Sequence, residues 1–269
     1  MTNTTSKGSA LITGASSGIG AVYADRLARR GFDLILAARD VGRLNALADR
    51  LRAATGVQVE VLPADLTDRA DLAKVARRLE KDPAITLLVN NAGVGGTGPL
   101  VGEDPLKLET LIALNVTAVT LLAHAAANAF AARGQGAIIN LASVLGIAPE
   151  IVRGAYSATK AYVLTLSQSL HAELSTEGVQ IQAVLPGATR TEIWERSGVD
   201  VNSLDQSRLM DVEEMVDAAL TGFDQLELVT IPSLPDPADW QAFTAARMAL
   251  LPNLSRAHAA VRYKLPTPA

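Results

Sequence analysis

Cysteine is missing from all 269 residues. That excludes disulfides, thiol catalysis and cysteine-ligated zinc. Histidine is scarce, and His124, His171 and His258 stand far apart with no metal-ligand spacing, so no metal site is expected. Basic residues form no stripe, and the formal net charge is −4. Nucleic acid is therefore not an expected partner. No Pro/Gly/Ser-rich linker divides the chain, and no repeat or low-complexity tract occurs. One α/β domain over residues 1–269 is expected. The opening M-T-N-T-T-S-K-G-S lacks the apolar core of a signal peptide.

Long apolar runs are also few. The longest, Ala113 to Ala132, nears membrane-spanning length. Asn115, Thr117, Thr120, His124 and Asn128 interrupt it, and they would be costly in lipid. The run reads as a helix buried in the fold or at a subunit interface, with no membrane partner. The expected location is cytoplasmic.

What is present is an alternation of short strand-like and longer helix-like stretches. Strands are expected at Ala10–Thr13, Asp33–Ala38, Gln58–Leu62, Thr86–Asn90, Ala137–Leu141, Gln180–Leu185 and Glu227–Ile231. Several are unbroken Val/Ile/Leu runs, which suit strands covered on both faces. Helices are expected at Gly18–Arg30, Val41–Ala54, Arg69–Lys81, Pro105–Arg133, Ala155–Glu177 and Val212–Phe223, with Asp40 and Asp68 placed as caps. The pattern predicts a doubly wound parallel sheet of about seven strands. Beyond Ile231, three prolines break the chain. A helix from Pro237 to about Leu251 and an irregular tail ending P-T-P-A then form an extension over residues 232–269.

Three groups of residues carry chemistry. Tyr156 and Lys160, in Y-S-A-T-K, are one helical turn apart and share a face. An ammonium beside a phenol favours the phenolate and lowers its pKa from about 10. Such a phenol exchanges a proton with a carbonyl or alcohol oxygen. Ser143 lies thirteen residues upstream of the tyrosine. Finally, T-G-A-S-S-G-I-G at Thr13–Gly20 joins the first strand to the first helix. There Gly14 permits a tight turn, Gly18 a close approach by a pyrophosphate, and Gly20 close helix–sheet packing. The helix N-terminus beyond it offers free N–H groups to phosphates. A glycine-rich turn without a ligand is the bland alternative.

With N-N-A-G at Asn90–Gly93 added in order, the chain resembles the short-chain dehydrogenase/reductase family from about Ser9 to Ile231. The resemblance implies a Rossmann fold and a catalytic set of Asn115, Ser143, Tyr156 and Lys160. It implies that Gly14, Ser16, Ser17, Gly18, Ile19 and Gly20 form the cofactor loop. Asn91, Ala92 and Gly93 would line the adenosine ribose, whereas Asn90 reads as structural bonding between strands. Asp65 would contact the adenine, with Leu66 beside it; a loop carboxylate is the plainer reading. Asn115 would hold a water near Lys160, or serve as a satisfied core amide. Pro186, Gly187, Thr189 and Thr191 would meet the nicotinamide carboxamide, and Lys160 its ribose.

Ala38 stands where NAD-dependent members carry a carboxylate, and Arg39 follows it. A guanidinium matches phosphate geometry, so NADP(H) is the expected cofactor. Ser17 is a departure from members with a second basic residue in the loop, which leaves NAD(H) open as well. Asp40 reads as a helix cap pointing away.

The implied activity is reversible hydride transfer between carbonyl and alcohol. Val94, Leu145, Ile151, Ile193 and Trp194 suggest a small to medium apolar substrate. Arg153 and Arg190 read as solvated. A lid is expected over about 187–211, and a homodimer or homotetramer through the helices Pro105–Arg133 and Ala155–Glu177. The competing reading is a non-catalytic NADP(H)-binding regulator or scaffold. The complete proton-transfer set argues against it, because a pure binder needs none of those groups.

Overall fold

The computed structural model describes residues 7–96, 98–152 and 154–263. Arg153 and the final P-T-P-A lie outside them. Seven strands form one parallel sheet: β1 (Ser9–Thr13), β2 (Asp33–Ala38), β3 (Val59–Pro63), β4 (Ile85–Asn90), β5 (Gly136–Leu141), β6 (Val179–Val184) and β7 (Val229–Thr230). Their order is β3-β2-β1-β4-β5-β6-β7. The strand order therefore reverses between the parallel neighbours β1 and β4. In open α/β sheets a crevice forms there, beyond the carboxyl ends of the strands.

Alternation along the strands sends side chains to opposite faces. Ala10 and Ile12 of β1 join a core containing Tyr23, Leu27, Leu44 and Val216. They face α1 (Gly18–Arg29), α2 (Val41–Thr55) and α8 (Val212–Asp224). Leu11 joins the opposite core with Val75, Leu88, Leu122 and Phe130. That side is covered by α3 (Arg69–Lys81), α5 (Val119–Ala131) and α6 (Ala155–Leu174). Asp40 and Asp68 cap α2 and α3 as expected. The Asp40 carboxylate accepts from the Arg43 N–H, and that of Asp68 from Ala70 and Asp71.

The expected helix Pro105–Arg133 is three pieces. Between α4 (Pro105–Ile112) and α5 lies a π-helical turn, Ala113–Ala118. Propensity gives no sign of it, because its Ala, Leu and Val also suit an α-helix. The apolar residues of α5 are used by the core, where Val119, Leu122, Ala123, Ala125, Ala126 and Phe130 are buried. A short helix, α7 (Ile193–Arg196), sits within the expected lid.

By contacts the chain divides into two compact units, with the break after Pro232. The first holds the whole sheet. The second, from Ser233, contains α9 (Pro237–Met248), which Asp236 caps, and within which Trp240 stacks on Phe243 at 5.2 Å.

Candidate active site

The glycine turn leaves β1 at the reversal point of the sheet. Gly14 and Gly18 have φ of +66° and +54°, a region closed to most side chains. A Cβ on Gly20 would collide with the Gly14 carbonyl oxygen and crowd the Asn91 amide, so the helix reaches the turn only as glycine. Asn91 locks the same turn from β4. Its Nδ2 donates to the carbonyls of Thr13 and Gly14, at 2.9 and 3.2 Å. Thr13 Oγ1 accepts from the N–H groups of Asn91 and Ala92, both at 3.0 Å. The Asn91 side chain thus holds the loop, and Thr13, which no motif singled out, is its partner.

Asn90 is structural, as read from the sequence. It donates to Asn140 Oδ1 at 3.0 Å across the β4–β5 register. Asn140 in turn donates to Ser167 of α6 at 3.0 Å, which fixes that helix on the sheet.

No side chain caps α1: Ser17 stands at its N-cap without a capping bond. By contrast, aspartates cap α2, α3, α4 and α8. The first-turn N–H groups of α1 are left for an anion. At the end of β2 the Arg39 side chain is 72% exposed and reaches Asp65 at 3.9 Å. Asp65 Oδ1 accepts from the N–H and hydroxyl of Thr67, at 3.0 and 2.7 Å. Burial pushes the Asp65 carboxyl up, but the Thr67 bonds and the Arg39 charge outweigh it and hold it below the usual carboxylate range. Leu66 is buried in the core beside it. A glycine cradle, an uncapped helix and an exposed guanidinium fit a phosphorylated dinucleotide.

The second half of the site rests on β5 and α6. Ser143 follows β5, its hydroxyl accepts from the Leu145 N–H at 3.2 Å, and it stands close enough to the Tyr156 phenol to lower that group's pKa. Lys160 is buried, and its Nζ donates to the Leu141 carbonyl at 2.8 Å. It lies 5.6 Å from the centre of the Tyr156 ring. Two glycines that the sequence reading passed over make this packing possible. Gly96 lies where a Cβ would come within 2.9 Å of Tyr156 Cβ, and Gly146 lies equally close to the α6 backbone at Lys160.

One expectation reverses here. Burial pushes the Tyr156 phenol up to about 12, with Ser143 pulling the other way. Lys160 does not lower it; burial takes Lys160 itself down to about 8. Spacing in sequence predicts proximity, but desolvation is set by the tertiary fold. A phenol that stays protonated beside Ser143 can act as a proton donor at neutral pH.

Asn115 sits in the π-helical turn, fully buried. It exchanges two bonds with the Val94 backbone, 2.9 and 3.0 Å, and donates to Thr159 Oγ1 at 3.3 Å. Its amide is thus a satisfied core group that fixes the loop after β4.

The segment after β6 closes over these pieces. Pro186 is buried, and its carbonyl accepts from the Val144 N–H at 3.0 Å. Thr189 is buried with its hydroxyl on the Gly187 carbonyl. Thr191 packs 3.4 Å from where a Gly18 Cβ would lie, and Ile193 3.4 Å from that of Gly95. Trp194 Nε1 donates to the Thr189 carbonyl at 2.8 Å. Val94, Leu145, Ile193 and Trp194 are all half-buried around this region. Ile151 does not join them: it is 68% exposed. Among the described residues no cluster of His, Asp or Glu could hold a metal.

Residues 9–202 match the short chain dehydrogenase family, and the chain belongs to it. A short-chain dehydrogenase from Sphingobium yanoikuyae, solved in complex with NADPH, is 56% identical. The match covers 96% of this chain and 100% of that one, with a TM-score of 0.93. A bulky-bulky ketone specific alcohol dehydrogenase from Comamonas testosteroni is 50% identical, over 97% and 100% of the two chains, with a TM-score of 0.89. Sorbitol dehydrogenase from Cereibacter sphaeroides is 35% identical over 74% of this chain and 77% of its own.

Proposed function

We propose that this protein is an NADP(H)-dependent oxidoreductase that interconverts an apolar ketone and its secondary alcohol. The observation that carries this reading is the grouping of Ser143, Tyr156 and Lys160, with the lysine 5.6 Å from the tyrosine ring, beside an uncapped glycine turn and the exposed Arg39. The NADPH bound by the Sphingobium relative supports the cofactor choice.

When bound, the reduced nicotinamide supplies the hydride. The protein's own groups handle the oxygen. Ser143 holds and polarises it, and Tyr156 donates the proton from its phenol. Lys160, 5.6 Å from the Tyr156 ring, would hold the nicotinamide ribose. Gly14, Ser16, Gly18, Ile19 and Gly20 would present backbone to the pyrophosphate, and Arg39 would hold the 2′-phosphate. Pro186, Gly187 and Thr191 would hold the carboxamide end.

The half-buried Val94, Leu145, Ile193 and Trp194 favour apolar flanks on the ketone. The Comamonas relative's preference for bulky-bulky ketones supports substituents on both sides of the carbonyl. Exposed apolar residues on α4, α5 and α6, among them Leu106, Ile112 and Leu121, support a homodimer or homotetramer. The burial of α5 residues in the core supports reading that apolar stretch as part of the fold rather than as a membrane span.

The test is NADPH consumption against ketones graded from apolar to acidic. Turnover concentrated on apolar diaryl or aryl-alkyl ketones is expected. Turnover on acidic ketones alone would discard the apolar pocket, and none at all would return the reading to a cofactor-binding regulator.

A further inference from the structure

One chain of ion pairs ties the lid to the adenosine end of the groove. Arg43, in the first turn of α2, donates from Nη1 to both carboxylate oxygens of Glu192, at 2.9 and 2.7 Å. Glu192 also accepts from Arg196 Nη2 at 2.6 Å. That same nitrogen reaches Ser17 Oγ in the glycine turn at 3.2 Å. Arg43 lies in the first turn of α2, whose cap Asp40 follows Arg39, and its Nε lies 3.4 Å from Asp40 Oδ2. A cavity of about 330 Å³ lined by Gly18, Arg190, Thr191, Glu192, Glu195 and Val201 places Glu192 against the glycine turn.

A phosphate ester carries about −1.5 to −2 charges at pH 7. Arg39 supplies one cation, already shared with Asp65 at 3.9 Å, and Ser17 supplies none. Yet two further guanidiniums stand beside these residues, both held by one carboxylate. The pairs are weak by nature, because Arg43, Glu192 and Arg196 are 49%, 43% and 58% exposed. A phosphate with three acceptor oxygens is the stronger partner for a guanidinium fork. Arg43 above all keeps the Glu192 carboxyl below its usual range, so it remains a charged competitor at neutral pH.

We propose that Arg43 and Arg196 recognise the cofactor's 2′-phosphate together with Arg39, and that Glu192 is the internal counter-ion which the phosphate displaces. This deepens the NADP(H) reading above and rests on it. NADP(H) can take both arginines from Glu192, whereas NAD(H) has no group to do so. Glu192 is the N-cap residue of α7, and Ile193 and Ser197 press on Gly95. Phosphate recognition at the adenosine end therefore acts on the segment that covers the substrate end.

The test is calorimetric titration of the intact protein with NADPH and with NADH, without substrate. Glu192→Gln removes a competing charge and should tighten NADPH by several-fold to about tenfold while leaving NADH unchanged. Arg196→Met should weaken NADPH by about tenfold, again with NADH unchanged, and Arg43→Met should behave alike. The inference is overturned if either class of variant leaves the NADPH/NADH ratio unchanged, or if Glu192→Gln selectively weakens NADPH. Arg39→Met separates the two levels of argument. If it abolishes NADPH preference while the lid variants do nothing, only the present inference fails. A wild-type protein that binds both cofactors equally, with Arg39→Met neutral, removes the NADP(H) reading and this inference with it.

Discussion

The glycine turn and the lid border the same groove, yet different forces hold them. The turn is fixed by short, partly buried bonds from Asn91 and Thr13 and by contacts that admit no Cβ at Gly20. The lid is pinned at its base by backbone bonds between Arg190 and Met210 and between Met210 and Ala188, both 2.9 Å. Above that base, its hold on the rest of the chain includes the exposed Arg43–Glu192 ion pair and the Arg196–Ser17 hydrogen bond. Exposed pairs contribute about 0–1 kcal/mol each, whereas an unsatisfied buried polar group costs about 1–3 kcal/mol. The turn thus forms a rigid half, beside the proposed proton donor Tyr156. The lid is a half that substrate and cofactor can rearrange.

If that division is right, the largest effects belong to the rigid half. Tyr156→Phe removes the proton donor and little volume, so kcat should fall by about 10²–10⁴ with NADPH affinity retained. A variant that kept full turnover would sink the assignment of the donor. The pH profile sharpens the same point. With Tyr156 pushed up to about 12, its proton is present throughout the accessible range, while Lys160 loses its charge above about 8. Ketone reduction needs both protons and should fall above pH 8, by up to tenfold per unit. Alcohol oxidation needs the phenolate with the charged lysine. It should rise up to pH 8 and then level, as the gain in phenolate offsets the loss of ammonium. Initial rates in both directions from pH 6 to 10 check this, and a reduction rate unchanged from pH 7 to 10 would contradict it.

Gly20→Ala comes next. The added methyl meets the Gly14 carbonyl and the Asn91 amide, so backbone must shift. The expected cost is about 1–3 kcal/mol of stability, as for overpacked sites, with cofactor affinity lost in parallel. A melting curve matching wild type would show the turn to be softer than its bonds indicate.

The rigid half was largely legible in the sequence, for physical reasons. Asp33–Ala38 and Arg69–Lys81 are strand and helix with the expected bounds, because an apolar run and an Asp68 cap are local signals. The glycine spacing likewise names a backbone conformation that only glycine adopts readily. What escaped was non-local. The π-helical turn at Asn115 changes register without changing composition. Gly96 and Gly146 matter only because α6 packs on them. The raised Tyr156 pKa depends on how much protein surrounds the phenol, which spacing to Lys160 does not encode. In the lid, α7 is four residues long, and the Glu192 pairing joins positions 149 residues apart.

The smallest expected effect lies in that lid. Trp194 anchors it through one hydrogen bond, Nε1 to the Thr189 carbonyl. Trp194→Phe keeps an aromatic body and deletes the bond, which is worth about 0.5–1.5 kcal/mol in local order. Global unfolding should barely move, since lid opening lies below the global transition. The change should appear instead as a KM for ketone raised several-fold and as faster amide exchange over residues 189–198, with NADPH affinity intact. If Trp194→Phe lowered the melting temperature as much as Gly20→Ala did, the lid would belong to the cooperative core, and the two halves of the groove would be one.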